Sequence, residues 1–257
     1  MNKKLAFTLA EVLITLAIVG VVAAITMPLI VANVQKLILK NQLKKVVSNF
    51  YSAIQQVKLE TTPEIGCYYW EKSPYKVKCT GKNEYGTCHS WVLDDGHDSP
   101  LPSDVNGKMG ECATFDNVLF NKAFKVIKFC RNNALVNGCL TDSYRGVDKV
   151  KAEQNPDSAQ DPNEHMTDLW LKTVHPVWVL NDGTIIIRYG DFVGYPAPIY
   201  VVDVNGHKGP NKWGYDIFGL LLKGNEQTGI SKIVGYDFAI EKGGTSSAAM
   251  IKNLFAN

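Results

Sequence analysis

From Phe7 to Ile30 the chain is almost wholly Phe, Leu, Ala, Val, Ile and Met, broken only by Thr8, Glu11, Thr15, Gly20, Thr26 and Pro28. As a helix rising 1.5 Å per residue, this run measures roughly 36 Å, enough to cross about 30 Å of hydrocarbon. A segment of that length and composition has few folds open to it besides a helix in an apolar surrounding. Lys3 and Lys4 precede it and place the N-terminus on the cytoplasmic side by the positive-inside tendency. Glu11 is the anomaly. An ionised side chain in a spanning helix costs roughly 2.5–3.5 kcal/mol on insertion scales, so a partner for it is expected.

The pattern does not stop at Ile30. Val34, Ile38, Leu39, Leu43, Val46, Val47, Phe50, Ile54 and Val57 recur at spacings of three and four, with Lys, Gln, Asn and Ser between them. That is an amphipathic helix. Continuous with the apolar run, it would give a rod of roughly 80 Å from Phe7 to about Glu60, with Pro28 kinking rather than ending it. An ordinary cleaved signal, with Val22-Ala23-Ala24 before the cut, is the competing reading. Its apolar region would be too long, Glu11 interrupts it, and the periodicity runs past the cut.

These N-terminal residues resemble the type IV pilin and type II secretion pseudopilin class. The matching string is Lys3-Lys4-Leu5-Ala6-Phe7-Thr8-Leu9-Ala10-Glu11-Val12-Leu13-Ile14, followed by Ile18-Val19-Gly20 and then Pro28. The resemblance implies cleavage between Ala6 and Phe7 by a prepilin peptidase and N-methylation of Phe7. It makes Glu11 the assembly residue, paired with the new amine of a neighbouring subunit or with that of its own chain. The implied partners are other pilin-like subunits, an inner-membrane assembly platform and membrane lipid. The implied location is a single-pass inner membrane protein with a cytoplasmic N-terminus that enters an extracytoplasmic filament. Ala6 departs from the glycine usual before the cut, and slower processing is expected. The implied fold class is α+β: the long helix packed on a small antiparallel sheet, with a disulfide-rich irregular insertion.

The domain organisation that follows is a leader over 1–6, a long helix over 7–60 with 7–30 in the membrane, and a globular head over 61–257. Cys67, Cys79, Cys88, Cys112, Cys130 and Cys139 all lie in one central third of the chain, and no pair has C-x-x-C spacing. An even count behind an export segment favours disulfides over thiols or zinc. The connectivity stays open, with Cys130–Cys139 as a neighbour pairing. The spacing predicts a helix from Phe115 to Arg131 and an exposed loop from Glu153 to His165. Pro176–Leu180 and Thr184–Arg188 form the clearest hairpin, closed by Asn181-Asp182-Gly183, whose Asp-Gly pair suits positive φ. Ile199–Val204 and Ile233–Ala239 read as further strands, and Glu241–Asn257 as a loosely held end.

Asp203-Val-Asn205-Gly206 through Gly214-Tyr-Asp216-Ile-Phe218 resembles a C-terminal signature of pseudopilin-like heads. Asp and Asn before a glycine suit Asx-turn capping, and they also set oxygens as calcium loops do, with Asp203, Asn205 and Asp216 as the ligands. Asp104-Val-Asn106-Gly107 is a shorter echo. No other cofactor is expected. The formal net charge of +2 excludes the global field of a nucleic-acid binder. The lysines from Lys36 to Lys45 read as a solvated or headgroup-facing side. No H-E-x-x-H, G-x-S-x-G or Walker pattern occurs, and Cys88-His89 beside Asp94, Asp95 and Asp98 reads as a disulfide cysteine in a polar loop. The chain is therefore expected to be a filament subunit and not an enzyme. The alternatives are a tip subunit acting as an adhesin or in DNA uptake, and a secreted disulfide-rich protein with an ordinary signal.

Overall fold

A computed structural model of the chain describes residues 8–72, 76–82, 88–98, 110–157, 166–190 and 197–254. The first helix, α1 (Leu9–Glu60), contains one proline, Pro28, and continues through it. Helix formers dominate throughout, and the helix stops where Pro63 disfavours helical geometry at the residue before it. Thr61 closes the end, its N–H and hydroxyl both donating to Val57 O at 3.0 and 2.8 Å. By contacts the chain divides into two compact units, through Asn41 and from Gln42 onward. In the first unit many apolar side chains of α1 are exposed, as at Leu13, Ile18 and Ile25.

In the second unit the rest of α1 buries Leu43, Val46, Val47, Phe50, Ile54 and Val57, the apolar stripe expected from the spacing. The sheet is formed by β1 (Tyr69–Trp70), β4 (Val126–Cys130), β5 (Val177–Leu180), β6 (Ile185–Arg188), β7 (Ile199–Asp203), β8 (Ile217–Asn225) and β9 (Gly229–Tyr236). Its order is β1-β8-β7-β6-β5-β4, with β9 also on β8. All pairings are antiparallel except β1 with β8. A separate hairpin joins β2 (Val77–Lys82) and β3 (Cys88–Leu93).

Both faces of the sheet are covered, and side-chain alternation assigns each residue to one of them. Tyr200, Trp178 and Arg188 lie on the α1 side, where Phe50 meets Tyr200 at 5.7 Å and Phe124 at 5.1 Å between ring centroids. Phe120 stacks on Trp178 at 3.8 Å. On the opposite side Val177, Ile185, Ile187, Val201 and Ile217 share one core with Leu140, Tyr144, Val147, Val150, Leu171 and Trp213. This second layer contains α3 (Val147–Gln154) and α4 (Asp168–Thr173). Two-sided burial explains why Ile185–Ile187 and Ile199–Val202 are continuous apolar runs rather than alternating ones.

The α+β class and the long first helix are as expected, but several elements differ. The helix expected over Phe115–Arg131 is α2 (Cys112–Val118) followed by a single π turn (Leu119–Ala123), after which the chain becomes β4. Val126-Ile-Lys-Phe-Cys130 suits a strand, and pairing with β5 supplies the hydrogen bonds that a helix would have kept local. The last stretch is not loose: α5 (Ser247–Leu254) buries Ile251 and Leu254 and packs on β9. Glu153 and Gln154 belong to α3 rather than to a loop; residues 155–157 leave it as an exposed turn, and the expected loop from residue 158 lies outside the described residues. The strand β8, which starts at the last two residues of the C-terminal signature, was not expected. In the β5–β6 turn only Gly183 has positive φ, at 90°, as in three-residue loops that end in a left-handed glycine.

Three disulfides join Cys67 to Cys112, Cys79 to Cys88 and Cys130 to Cys139. The first ties the segment after α1 to the start of α2, and the other two each close a short local loop. No described cysteine is free.

Candidate functional site: the start of the long helix and the Asp203 clasp

Glu11 sits in the first turn of α1, and its carboxylate folds back onto Thr8. Thr8 N–H and Thr8 hydroxyl both donate to Glu11 Oε2 at 2.8 Å, while Glu11 N–H donates to Thr8 Oγ1 at 3.3 Å. This reciprocal pair is a capping box, which satisfies two of the four orphan donors at a helix start. Sequence reading missed it, although Thr followed three residues later by Glu is its written signature. The lone chain thus gives the acid a local set of donors. Around it Leu9, Val12, Leu13 and Ile14 are exposed. Thr15 and Thr26 return their hydroxyls to Val12 O and Val22 O, each at 2.9 Å, so those polar groups are satisfied within the helix. Pro28 lies inside α1 and donates no amide bond there. Ala6 and Phe7 lie outside the described residues. The first helix is long and apolar enough to cross a membrane by length and composition.

The C-terminal signature forms the connection from β7 to β8 and is held by two buried carboxylates. Asp203 Oδ1 accepts from Asn205 N–H at 3.1 Å and from Gly206 N–H at 2.8 Å, and Oδ2 accepts from the Tyr144 hydroxyl. Asp216 accepts from Asn211 N–H and Lys212 N–H at 2.8 and 2.7 Å. The Asn211 side-chain amide joins the two ends, its nitrogen donating to Gly206 O at 2.9 Å and to Asp203 Oδ2 at 3.1 Å. Burial pushes the Asp203 carboxyl up to about 7, the nearby Asp216 charge adds to this, and the Tyr144, Asn205 and Gly206 donors oppose it. Asp216 is raised, again chiefly by burial. Burial and the Asp203 charge together lift the Tyr144 hydroxyl well above its ordinary range.

Every carboxylate oxygen of Asp203 and Asp216 already accepts a hydrogen bond, and Asn205 turns its amide nitrogen to Gly209 O at 2.6 Å, leaving its buried Oδ1 without a partner. Among the described residues no group of three or more His, Cys, Asp or Glu side chains converges as metal ligands would. The geometry is that of Asx-type turn capping. The echo at Asp104 to Gly107 lies outside the described residues.

Among the described residues the histidines do not gather. His175 is buried with Nδ1 at 3.0 Å from Gly190 O, His207 Nε2 lies 3.0 Å from Cys139 O, and His97 is exposed beside Asp95. Cys88 is bonded to Cys79, as the reading of a disulfide cysteine requires, and offers no thiolate. A feature the sequence reading did not find is the buried cluster of Asp116, Arg188 and Tyr200. Asp116 pairs with Arg188 and accepts from the Tyr200 hydroxyl at 2.6 Å. Arg188 closing an Ile-Ile-Ile run was its only written trace.

Residues 1–27 match the sequence family described as a prokaryotic N-terminal methylation motif. The chain therefore carries a prepilin-type segment of the type IV pilin and pseudopilin class. No curated protein and no solved structure matches the chain. A segment of this class points to a structural subunit rather than an enzyme.

Proposed function

We propose that this chain is a subunit of a type IV pilus or type II secretion pseudopilus filament, processed by a prepilin peptidase and assembled through its N-terminal helix. The observation that carries this reading is the methylation motif at residues 1–27 leading directly into an apolar helix with one acid in its first turn. Cleavage between Ala6 and Phe7 leaves Thr8 as the second residue of the mature chain, so the capping box survives processing. Phe7 then carries a fresh, methylated ammonium. While the subunit waits in the bilayer, Thr8 satisfies Glu11 locally. On assembly a neighbour's Phe7 amine supplies the opposite charge in a medium where water does not compete. Such a pair need not be stabilising relative to apolar groups, but breaking it by removing one partner costs about 3–5 kcal/mol. It therefore sets the height at which each subunit enters the fibre. Apolar side chains of α1 that the lone chain leaves exposed become the packing surface, first against lipid and then against neighbouring helices. The inner-membrane assembly platform and other pilin-like subunits are the partners, with the N-terminus cytoplasmic and residues after the span extracytoplasmic.

Mass spectrometry of the mature N-terminus tests this. A methylated phenylalanine at Phe7 is expected, and a chain beginning at Ile25 would replace this reading with ordinary secretion.

A further inference from the structure

The charges along α1 follow a pattern that neither the capping box nor the apolar run accounts for. Between Glu11 and Glu60 the helix has no acidic residue, and its bases are Lys36, Lys40, Lys44, Lys45 and Lys58. Two of these are answered within the second unit. Lys45 pairs with Asp182 at 3.0 Å, and Lys58 donates to Thr228 O and Ile230 O at 2.8 and 2.7 Å. Lys36 and Lys40 are exposed and take part in no hydrogen bond or ion pair among the described residues. They stand four apart on one side of the helix, with the exposed Asn33 beside them. Like charges at that spacing repel and disfavour the helix unless an anion lies between them.

Their height along the helix decides which anion that is. Ile30 ends the apolar run. At 1.5 Å per residue Lys36 stands roughly 9 Å beyond it, Lys40 roughly 15 Å and Lys44 roughly 21 Å. The polar layer on each side of a hydrocarbon core is about 5–8 Å deep. A surface charge is felt for about another 8 Å at physiological ionic strength. Helical side chains lean toward the N-terminal end, which here is the membrane. Lys36 and Lys40 fall within that reach, and Lys44 falls outside it.

We propose that Lys36 and Lys40 together hold the phosphate of anionic phospholipids at the membrane face from which α1 emerges. This surface rests on the reading of the chain as a membrane-inserted subunit and adds a lipid preference to it. A zwitterionic headgroup brings an ammonium that the two lysines repel, so the pair selects lipids of net negative charge. Each lysine close to such a surface favours it about fivefold.

The full-length chain in nanodiscs of equimolar phosphatidylcholine and phosphatidylglycerol tests this, by measuring which lipid stays bound after gentle extraction into detergent. Phosphatidylglycerol should dominate the retained lipid, and Lys36→Gln/Lys40→Gln should cut that excess at least fivefold. Lys3 and Lys4 are common to both chains, so the difference reports the pair alone. Lys44→Gln should keep the excess. Added glycerol phosphate should leave the lipid in place, and displacement would mean that the pair takes free phosphate instead. An excess unchanged in the double variant, or lost equally in Lys44→Gln, would also overturn the proposal. Resistance to alkaline extraction from vesicles reports insertion separately. A chain that fails to insert removes the membrane-subunit reading and this surface with it, whereas insertion without an anionic preference removes the surface alone.

Discussion

At the scale of single residues, Glu11 carries two roles that one substitution can separate. Gln retains the acceptor and shape of the capping box but lacks the charge. Glu11→Gln is therefore expected to leave helix content and membrane insertion unchanged while filament yield falls steeply. Quantifying sheared fibres against total subunit measures this. Thr8→Val keeps the charge but removes the hydroxyl that accepts from Glu11 N–H and donates to its carboxylate; it should destabilise the waiting subunit while leaving the charge available. Asp203 gives a second residue-scale prediction. Its folded value of about 7 lies above that of an unfolded aspartate, near 3.9. The folded state therefore binds more protons than the unfolded state between those values. The stabilisation is full below about pH 4 and is lost as pH rises through about 7. Asp216, also raised, acts in the same direction. The unfolding midpoint should rise as pH is lowered from 8 to about 5.5, and a flat profile would remove the buried-carboxylate account. Because the clasp oxygens are already hydrogen-bonded, a chelator should leave that midpoint where it is.

At the scale of elements, the β5–β6 turn and the C-terminal loop support each other. A Cβ on Gly206 would lie 2.0 Å from Gly183 O, and Gly206 has φ of 60°. Gly206→Ala should destabilise the fold by about 1–3 kcal/mol from backbone strain, with more from the clash, measured by denaturant unfolding. The disulfides should not be equal either. In the chain-entropy account the Cys67–Cys112 bridge, with a separation of 45, contributes about 4 kcal/mol. The two bridges of separation 9 contribute about 3 kcal/mol each. Replacing Cys67 and Cys112 with Ser should therefore lower stability more than replacing Cys130 and Cys139. The elements legible in advance were those whose signal is local. The spacing of Leu43, Val47, Phe50, Ile54 and Val57 defined a helix face, and Asn181-Asp182-Gly183 between two apolar runs defined a hairpin. The β4 strand was misread as helix because Phe115–Arg131 has spacings compatible with both. Only a partner strand distinguishes them.

On the scale of the whole molecule, the second layer of α3 and α4 turns what would be a one-sided sheet into one buried on both faces. That layer also supplies Tyr144 to the Asp203 clasp. The sequence alone determined the apolar helix, the acid in its first turn and the prepilin-type segment. Each depends on residues a few positions apart, and a helix places such residues side by side whatever surrounds it. Tertiary structure decided which cysteines bond across the separation of 45, that Asp116 meets Arg188 across the core, and that Asp203 and Asp216 hold the two ends of one loop. Those pairings are between groups distant in the chain. Their partners are selected by shared burial and unmet hydrogen bonds, which arise only once the sheet has formed.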